Sequence, residues 1–500
     1  MLVFRTVSAD AAGRAERHPP DHRRAAAAGH LAREPAAEAA VLAAVHRRHV
    51  RCRPRVPGPL TPAVVRHELT SMLRIAVVRR GFAGHHGRNR GATGGGMVRR
   101  LPDMRSYIEE LDRLGELCRV DRPLARAAIA LGLPPDSHGG ALVAAIAAAL
   151  DRDPIPPVPV PKAPFQQNIR LGGDIDLTAL PAPIARCFDG GRSPNTHGLT
   201  IVRTPDGGWT NWSIDGMLPR GRNQLVGTFG ADQHLGLIHR EWRELGEPMP
   251  LAIALGVEPA LPLLAGGLPA PAGIDEAEIA GAYFGTGIET VACLTVDLQV
   301  PASAEIVVEG LVDPAAPLLT VTAIAHRDNA IATAAAVPPR EDDHLGWGIP
   351  HAAQTLHDLT GAGFPVTGVW VPPESGAHWM AVGLDARWRC RPRWRGTPAR
   401  RMCEHIGRAV FATKSGMDLP KLLVVEDDID ITDLRELVWA FATRCHPAHG
   451  NLHVGDERRA AARIVHNCLR PDSAWGSAGF DDRRPSHRVV QDHPRSADRP

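Results

Sequence analysis

Apolar residues recur at helical spacing at Met104, Tyr107, Ile108, Leu111 and Leu114, which fall on one face of a helix. Asp103 precedes them as an N-cap and Gly115 lies near the stop, so the spacing predicts a helix over 104–117. A second, alanine-rich helix is predicted around 140–150, and the proline-dense connector 154–164 cannot be regular helix. From about 168 the pattern changes to short apolar runs broken by turns. Leu199–Val202 and Trp209–Ile214 flank Pro205-Asp-Gly-Gly208, the signature of a hairpin. Further β-rich runs cover 251–257, 291–300, 305–308 and 319–325, and acids in the first turn mark a helix at 275–284. Residues 165–338 therefore read as a β-rich domain with few helices.

Beyond Pro338 the two periods alternate. Helical patterns over 345–360, 400–411 and 432–443 separate strand-like runs at 366–371, 377–384 and 422–425. Alternation of this kind predicts an α/β layer. The chain is expected to be a multidomain α+β and α/β protein: an N-terminal α/β region (101–164), the β-rich domain (165–338), a C-terminal α/β domain (339–471) and a polar tail (472–500). Residues 1–100 differ from all of these. Runs such as Arg23-Arg-Ala-Ala-Ala-Ala28 and Gly94-Gly-Gly96, few aromatics and no sustained apolar period leave that segment without the means to form a core, so disorder is expected. Sparse acids admit a mitochondrial-type presequence or a nucleic-acid-binding arm there, and a start at Met97 or Met104 would remove it altogether.

Charge narrows the classes further. With 57 Lys and Arg against 55 Asp and Glu, the net charge of +2 makes no overall case for nucleic acid or membrane binding. No run of 18 apolar residues marks a membrane span, and no apolar h-region marks a secretory signal. Eight cysteines are dispersed without a C-x-x-C pair, the pattern of a cytoplasmic enzyme with reduced thiols.

Candidate chemistry gathers in three segments: Trp209-Thr-Asn-Trp-Ser-Ile214, Gln233-His234 and Glu276. They supply an amide oxygen (Asn211), an imidazole (His234) and a carboxylate (Glu276). Oxygen and nitrogen donors without thiolate suit a hard or borderline divalent ion such as Mg²⁺ or Mn²⁺, often with phosphate completing the shell. Each residue alone has a plainer role: a satisfied turn amide, a core histidine, a first-turn helix acid.

The same segments occur in order with Asp103–Leu111, Asp189-Gly-Gly-Arg192, Asp275–Gly281, Val300–Gly310, Phe411-Ala-Thr-Lys414 and Asp427-Asp-Ile-Asp430. In that order and spacing the chain resembles the UbiD family of prenylated-FMN-dependent decarboxylases over about 104–471. The resemblance implies that the central domain is a split β-barrel of flavin-reductase type holding prenylated FMN. A divalent metal, Mn²⁺ or Mg²⁺, would bridge the cofactor phosphate to Asn211, His234 and Glu276; the interval 234 − 211 = 23 is the family's own. It also implies K⁺ as a further ion, Lys414 on the phosphate side, Gln233 beside the cofactor, and Ser213 and Ile214 flanking it through their backbone. A buried phosphate dianion must be neutralised, and a divalent ion with a lysine does so. The implied reaction is reversible, non-oxidative decarboxylation of an aromatic or α,β-unsaturated carboxylic acid, by a homo-oligomer supplied by a flavin prenyltransferase.

Two departures from the family pattern fall on the catalytic groups. The family's substrate-binding arginine, five residues after the metal-binding Asn, is Gly216 here. The loop that carries two glutamates is missing, because Gly310-Leu-Val-Asp-Pro-Ala-Ala-Pro317 runs directly into Leu318. Asp215 is the acid nearest the first gap, and Arg220 and Arg222 follow in what reads as a solvated loop. A homologue that holds flavin and metal without turning over is the alternative to an active decarboxylase.

Overall fold

The computed structural model describes residues 2–5, 100–114, 123–180, 182, 193–195, 197–334, 347–416, 419–454 and 463–470. The Asp189–Arg192 segment, the 472–500 tail and most of the 1–100 extension lie outside them. One short piece of that extension is ordered after all. Strand β1 (Leu2–Arg5) pairs antiparallel with Ile331–Ala334, so its first residues are not structureless.

The N-terminal region is helical. Helix α1 (Met104–Arg113) starts from a capping box: Asp103 accepts from Ser106 N at 2.8 Å, and Ser106 Oγ accepts from Asp103 N. Its face of Met104, Tyr107 and Leu111 is buried, as the spacing predicts. Helix α2 (Pro123–Ala130) has no counterpart in the sequence reading, whereas α3 (Gly139–Leu150) lies where the alanine-rich run predicts it. A short strand, β2 (Val158–Pro159), interrupts the proline connector.

Next in order come β3 (Asn168–Leu171), β4 (Leu199–Arg203), β5 (Thr210–Ser213), β6 (Met217–Pro219), β7 (Gln224–Gly227), helix α4 (His234–Leu245), β8 (Met249–Leu255) and helix α5 (Glu276–Phe284). They are followed by β9 (Glu289–Ala292), β10 (Gln299–Pro301), β11 (Ile306–Val312), β12 (Leu318–His326) and β13 (Ile331–Ala334). The main sheet runs β5-β4-β8-β11-β12-β7-β6, with β3 also on β12. These antiparallel strands curl into a half-barrel around Val202, Met217, Leu225, Leu251, Ile253 and Val321, into which α4 lays Leu235 and Ile238. The edge strands β5 and β6 are not paired with each other.

Helix α4, like α2, has no counterpart in the sequence reading. The apolar run 291–300 is not one strand but the hairpin β9–β10. Its turn is held by the buried Glu309 carboxylate, which accepts from Leu294 N at 2.9 Å and Thr295 N at 2.7 Å.

The C-terminal part is the expected α/β layer: helix α6 (Ile349–Gly361), β14 (Val366–Trp370), β15 (Trp379–Leu384), helix α7 (Ala399–Phe411), β16 (Lys421–Glu426), helix α8 (Leu434–Arg444), β17 (Asn451–His453) and β18 (Ile464–Asn467). Its sheet order is β14-β15-β16-β18-β17, with β15, β16 and β18 parallel and the two edges antiparallel. The sheet's α3 side is tight: a Cβ on Gly139 would stand 2.2 Å from the Trp370 ring, so only glycine lets α3 approach β14.

Candidate active site

Three elements of the half-barrel domain bring the predicted donors together. Strand β5 pairs with β4 in the register Val202–Asn211, which buries the Asn211 side chain. Helix α4 begins at His234, and its first turn can sit this close to the loop before it because residue 236 is glycine. A Cβ at Gly236 would lie 2.0 Å from the Gly230 carbonyl oxygen. Helix α5 begins at Glu276 behind the Asp275 N-cap, which accepts from Ala277 N at 3.0 Å. The indole of Trp209 ties the loop before α5 to β5 by donating to Ile274 O at 2.9 Å.

The result is a compact cluster. Asn211 Oδ1 lies 2.9 Å and Glu276 Oε1 3.6 Å from the same ring nitrogen, His234 Nδ1. The other Glu276 oxygen accepts from Trp212 N at 3.0 Å, which fixes the carboxylate. Trp209 sets the imidazole by an edge-on contact at 4.7 Å between centroids. From the C-terminal layer, the turn after α7 delivers Lys414, whose Nζ stands 3.0 Å from His234 Nδ1 and 3.1 Å from Nε2. That turn is itself held by His351 of α6, whose Nδ1–H donates to Ser415 O at 3.2 Å.

The donors fit a divalent ion. Metal–oxygen bonds near 2.1 Å in an octahedral shell place neighbouring donors about 3 Å apart, and Asn211, His234 and Glu276 are spaced on that scale around one nitrogen. The Lys414 ammonium stands beside the same ring nitrogen. Among the described residues no group of three or more His, Cys, Asp or Glu could hold a metal; this cluster has two of those types and an amide.

Burial sets its electrostatics. It holds the His234 imidazole down at about 4, with the Lys414 charge adding to the effect, so the ring is neutral and able to ligate at neutral pH. It pushes the Glu276 carboxyl up and the Lys414 ammonium down, each opposed by the other's charge. Both shifts have burial as their first cause, with the Asp215 carboxyl adding to the opposing pull on the Lys414 ammonium.

The other expected residues divide. Ser213 joins the cluster, its hydroxyl 3.3 Å from Asn211 Nδ2 and donating to Asp215 Oδ2 at 2.5 Å. Ile214 packs on the apolar turn 262–266, where a Cβ on Gly266 would lie 2.6 Å from Ile214 Cγ1. Burial raises the Asp215 carboxyl above the usual range, against the pull of Ser213 and Lys414. Gln233 is exposed and makes no hydrogen bond within the cluster. Arg220 and Arg222 are exposed, Arg222 pairing with Asp176 at 3.2 Å, and neither joins the site.

Gly216 is exposed, and a Cβ there would meet nothing within 4 Å. Between β11 and β12 the chain turns within 313–317, closed by Asp313 N to Leu318 O at 2.9 Å and Ala315 N to Asp313 Oδ1 at 2.7 Å. No acid in that turn other than Asp313 is present to take the place of a glutamate pair.

Trp209, the Trp212 amide and His351 were not singled out from the sequence. The two tryptophans lie inside the 209–214 motif that contains Asn211, but His351 carries no local signal.

Comparison with known proteins identifies the family of the chain. Residues 157–341 match the family model described as 3-octaprenyl-4-hydroxybenzoate carboxy-lyase Rift-related domain, and 344–461 match the C-terminal domain of the same carboxy-lyase. The chain is 37% identical to a pyrrole-2-carboxylic acid decarboxylase of Pseudomonas aeruginosa over 72% of its own length and 79% of that protein's. It is 30% identical to ferulic acid decarboxylase 1 of Saccharomyces cerevisiae, covering 66% of this chain and 70% of that one. Among solved structures, the UbiD-class enzyme HmfF from Pelotomaculum thermopropionicum in complex with prFMN superposes with a TM-score of 0.63 at 24% identity, covering 74% of this chain and 96% of HmfF.

Proposed function

Because the chain belongs to the UbiD family, we propose that it is a decarboxylase acting without net oxidation on an aromatic or α,β-unsaturated carboxylic acid, with prenylated FMN and a divalent ion as its cofactors. The observation that carries this reading is the convergence of Asn211 Oδ1, Glu276 Oε1 and the Lys414 ammonium on His234 Nδ1. The likeness to a pyrrole-2-carboxylic acid decarboxylase favours a heteroaromatic acid within that class.

Asn211, His234 and Glu276 would hold the metal, and Lys414 would turn from the imidazole to the cofactor phosphate once the metal arrives. The cofactor, when bound, stabilises negative charge at the carbon that loses CO₂. The chain's own tasks are then to keep His234 neutral, hold Glu276 against Trp212 N, exclude water through the Trp209 and Trp212 wall, and supply a proton. Asp215 is the proposed proton donor, because burial favours its protonated form and it follows directly on the strand that carries Asn211.

The test is to purify the protein from cells co-expressing a flavin prenyltransferase and measure visible absorbance, bound Mn²⁺, and CO₂ release from pyrrole-2-carboxylate and cinnamate-type acids. Loaded flavin and metal with Asp215-dependent CO₂ release are expected. Loading without any release would make the protein a cofactor-holding homologue. Neither flavin nor metal in the wild type would overturn the site assignment.

A further inference from the structure

The link that carries Asp215 has no strand ladder of its own. Ile214, Asp215 and Gly216 join β5 to β6, the two edge strands of the half-barrel sheet that do not pair with each other. Gly216 is exposed with open space around it, so packing does not fix the link at that residue. What holds it is the segment before β4.

Asn195 forms an isolated antiparallel bridge with Met217, the first residue of β6. Its side chain is 1% exposed and ties three pieces of chain together. Nδ2 donates to Asp215 O at 2.8 Å and to Thr200 Oγ1 of β4 at 3.2 Å, while Oδ1 accepts from Gly198 N at 2.9 Å. A Cβ on residue 198 would stand 2.8 Å from Asn195 Oδ1, so glycine there lets the amide come this close. Ser193, also buried, donates from Oγ to Met217 O at 2.8 Å. Two side chains thus give residues 215 and 217 the bonds that a neighbouring strand would otherwise supply. The Asp215 carboxyl is held separately. Ser213 Oγ donates to Asp215 Oδ2 at 2.5 Å and accepts from Asn211 Nδ2 at 3.3 Å. With Oδ2 engaged, Oδ1 is the oxygen left to carry a transferable proton.

We infer that Asn195, assisted by Ser193, is a positioning residue for Asp215: it fixes the path of the 214–216 link so that the carboxyl is presented at one place beside the ligand cluster. The inference rests on the reading of Asp215 as proton donor. Asn195 bonds Asp215, Thr200 and Gly198, none of them a proposed cofactor or metal ligand, and so acts only through the backbone of Asp215. A proton donor must lie within hydrogen-bond reach of the atom it serves, and a misplacement of about 1 Å costs up to about 10²-fold in rate. A link with open space at Gly216 has room to move that far once its carbonyl is released.

The test compares Asn195→Ala with Thr200→Val in full-length protein purified from cells co-expressing a flavin prenyltransferase. Thr200→Val is the packing control, because it removes the other side-chain partner of the same amide and leaves Asp215 O bonded. Asn195→Ala should keep the flavin and Mn²⁺ content and the KM for pyrrole-2-carboxylate, with kcat lower by about 10–100-fold, whereas Thr200→Val should stay within about twofold of wild type. Hydrogen–deuterium exchange of the peptide covering 214–217 reads the release without turnover; it should be about tenfold faster in Asn195→Ala and unchanged in Thr200→Val. Should Asn195→Ala be recovered only as aggregate, Ser193→Ala carries the test, with a smaller kcat loss and faster exchange of the same peptide. A wild-type kcat in an active Asn195→Ala, unchanged exchange at 214–217, or equal losses in Asn195→Ala and Thr200→Val would overturn the inference. Faster exchange in Asn195→Ala with no CO₂ release from any loaded form, wild type included, supports the hold on Asp215 and sinks the decarboxylase reading instead.

Discussion

The wall of the candidate site that would face a cofactor and the wall that would face a carboxylic acid are built to different standards. On the cofactor side every donor is buried and braced: Asn211 by β4, Glu276 by Trp212 N, His234 by Trp209 and Lys414. Where the resemblance would place the groups that meet the acid, the chain offers an exposed Gly216 with open space beside it and a five-residue turn, 313–317, whose one acid is Asp313. Holding a cofactor and turning over a substrate therefore make separate demands on the sequence. A ligand cluster needs burial and fixed neighbours. Proton transfer and carboxylate orientation need groups that reach into open volume, and those can be lost without disturbing the core.

The largest expected effect lies on the acid side. Loss of a positioned proton donor costs about 10²–10⁴-fold, and loss of a carboxylate clamp adds an orientation penalty. Turnover of the loaded protein on pyrrole-2-carboxylate should therefore fall at least 10²-fold below that of the Pseudomonas aeruginosa relative assayed alongside, and Asp215→Asn should lower it again. Parity between the two enzymes, unaffected by Asp215→Asn, would break the contrast.

On the cofactor side, Glu276→Ala should weaken Mn²⁺ retention by about 100-fold, read by metal analysis after dialysis, because one of the three proposed ligands is gone. Equal metal in variant and wild type would show that the cluster is not the metal's seat. Gly236→Ala sharpens the same side through packing. Its Cβ cannot coexist with Gly230 O at 2.0 Å, so about 3 kcal/mol of stability should be lost in urea unfolding, with flavin loading falling in parallel. An unchanged midpoint would mean that the start of α4 has room to move.

Far from either wall, Asp428 receives two hydrogen bonds from Arg444, at 3.1 and 2.5 Å, and another charge from Arg470 at 3.1 Å. Burial raises its carboxyl, but the two arginines outweigh burial and hold it below the usual range. A depressed carboxylate stabilises the fold above its unfolded value near 3.9, and that contribution vanishes as pH falls through the folded value. Asp428→Asn should thus cost about 1–2 kcal/mol at pH 7, and the two melting curves should converge as pH falls below the ordinary carboxylate range. A constant offset down to pH 2 would assign the effect to shape and not to charge. The smallest effect belongs to Arg222→Ala, within about 0.5 kcal/mol, because its pair with Asp176 is exposed; a larger loss in the same assay would place that loop in the fold's core.

Much of this contrast could be read along the chain, and the failures have local causes. The periodic face of Met104, Tyr107 and Leu111 and the buried run of β16 announced their elements because burial on one face, or on both, leaves a repeat. Helix α4 also left one, with Leu235, Ile238 and Trp242 at helical spacing and Gly246 as its left-handed stop at φ 73°, but the two site residues at its start drew the reading toward chemistry. The split of 291–300 into two strands was hidden because its turn is fixed by Glu309, a residue further along the chain. Intervals such as 23 residues between Asn211 and His234 carried the ligand set. The approach of Lys414 from 180 residues away is tertiary, and the brace from His351 to Ser415 has no trace in either segment.

The turn at 313–317 also describes how this scaffold could be rewritten. It closes a hairpin whose two strands, β11 and β12, are anchored on both sides by β8 and β7. Lengthening such a connection costs only about 0.6 kcal/mol per doubling, so the junction is a port at which a segment of any chemistry can be spliced in while the scaffold stays as it is. An arginine at Gly216 would enter volume that nothing fills. Insertion at one point and substitution at another, both outside the hydrophobic interior, make the catalytic repertoire of this protein a modular property, gained or shed without renegotiating the fold.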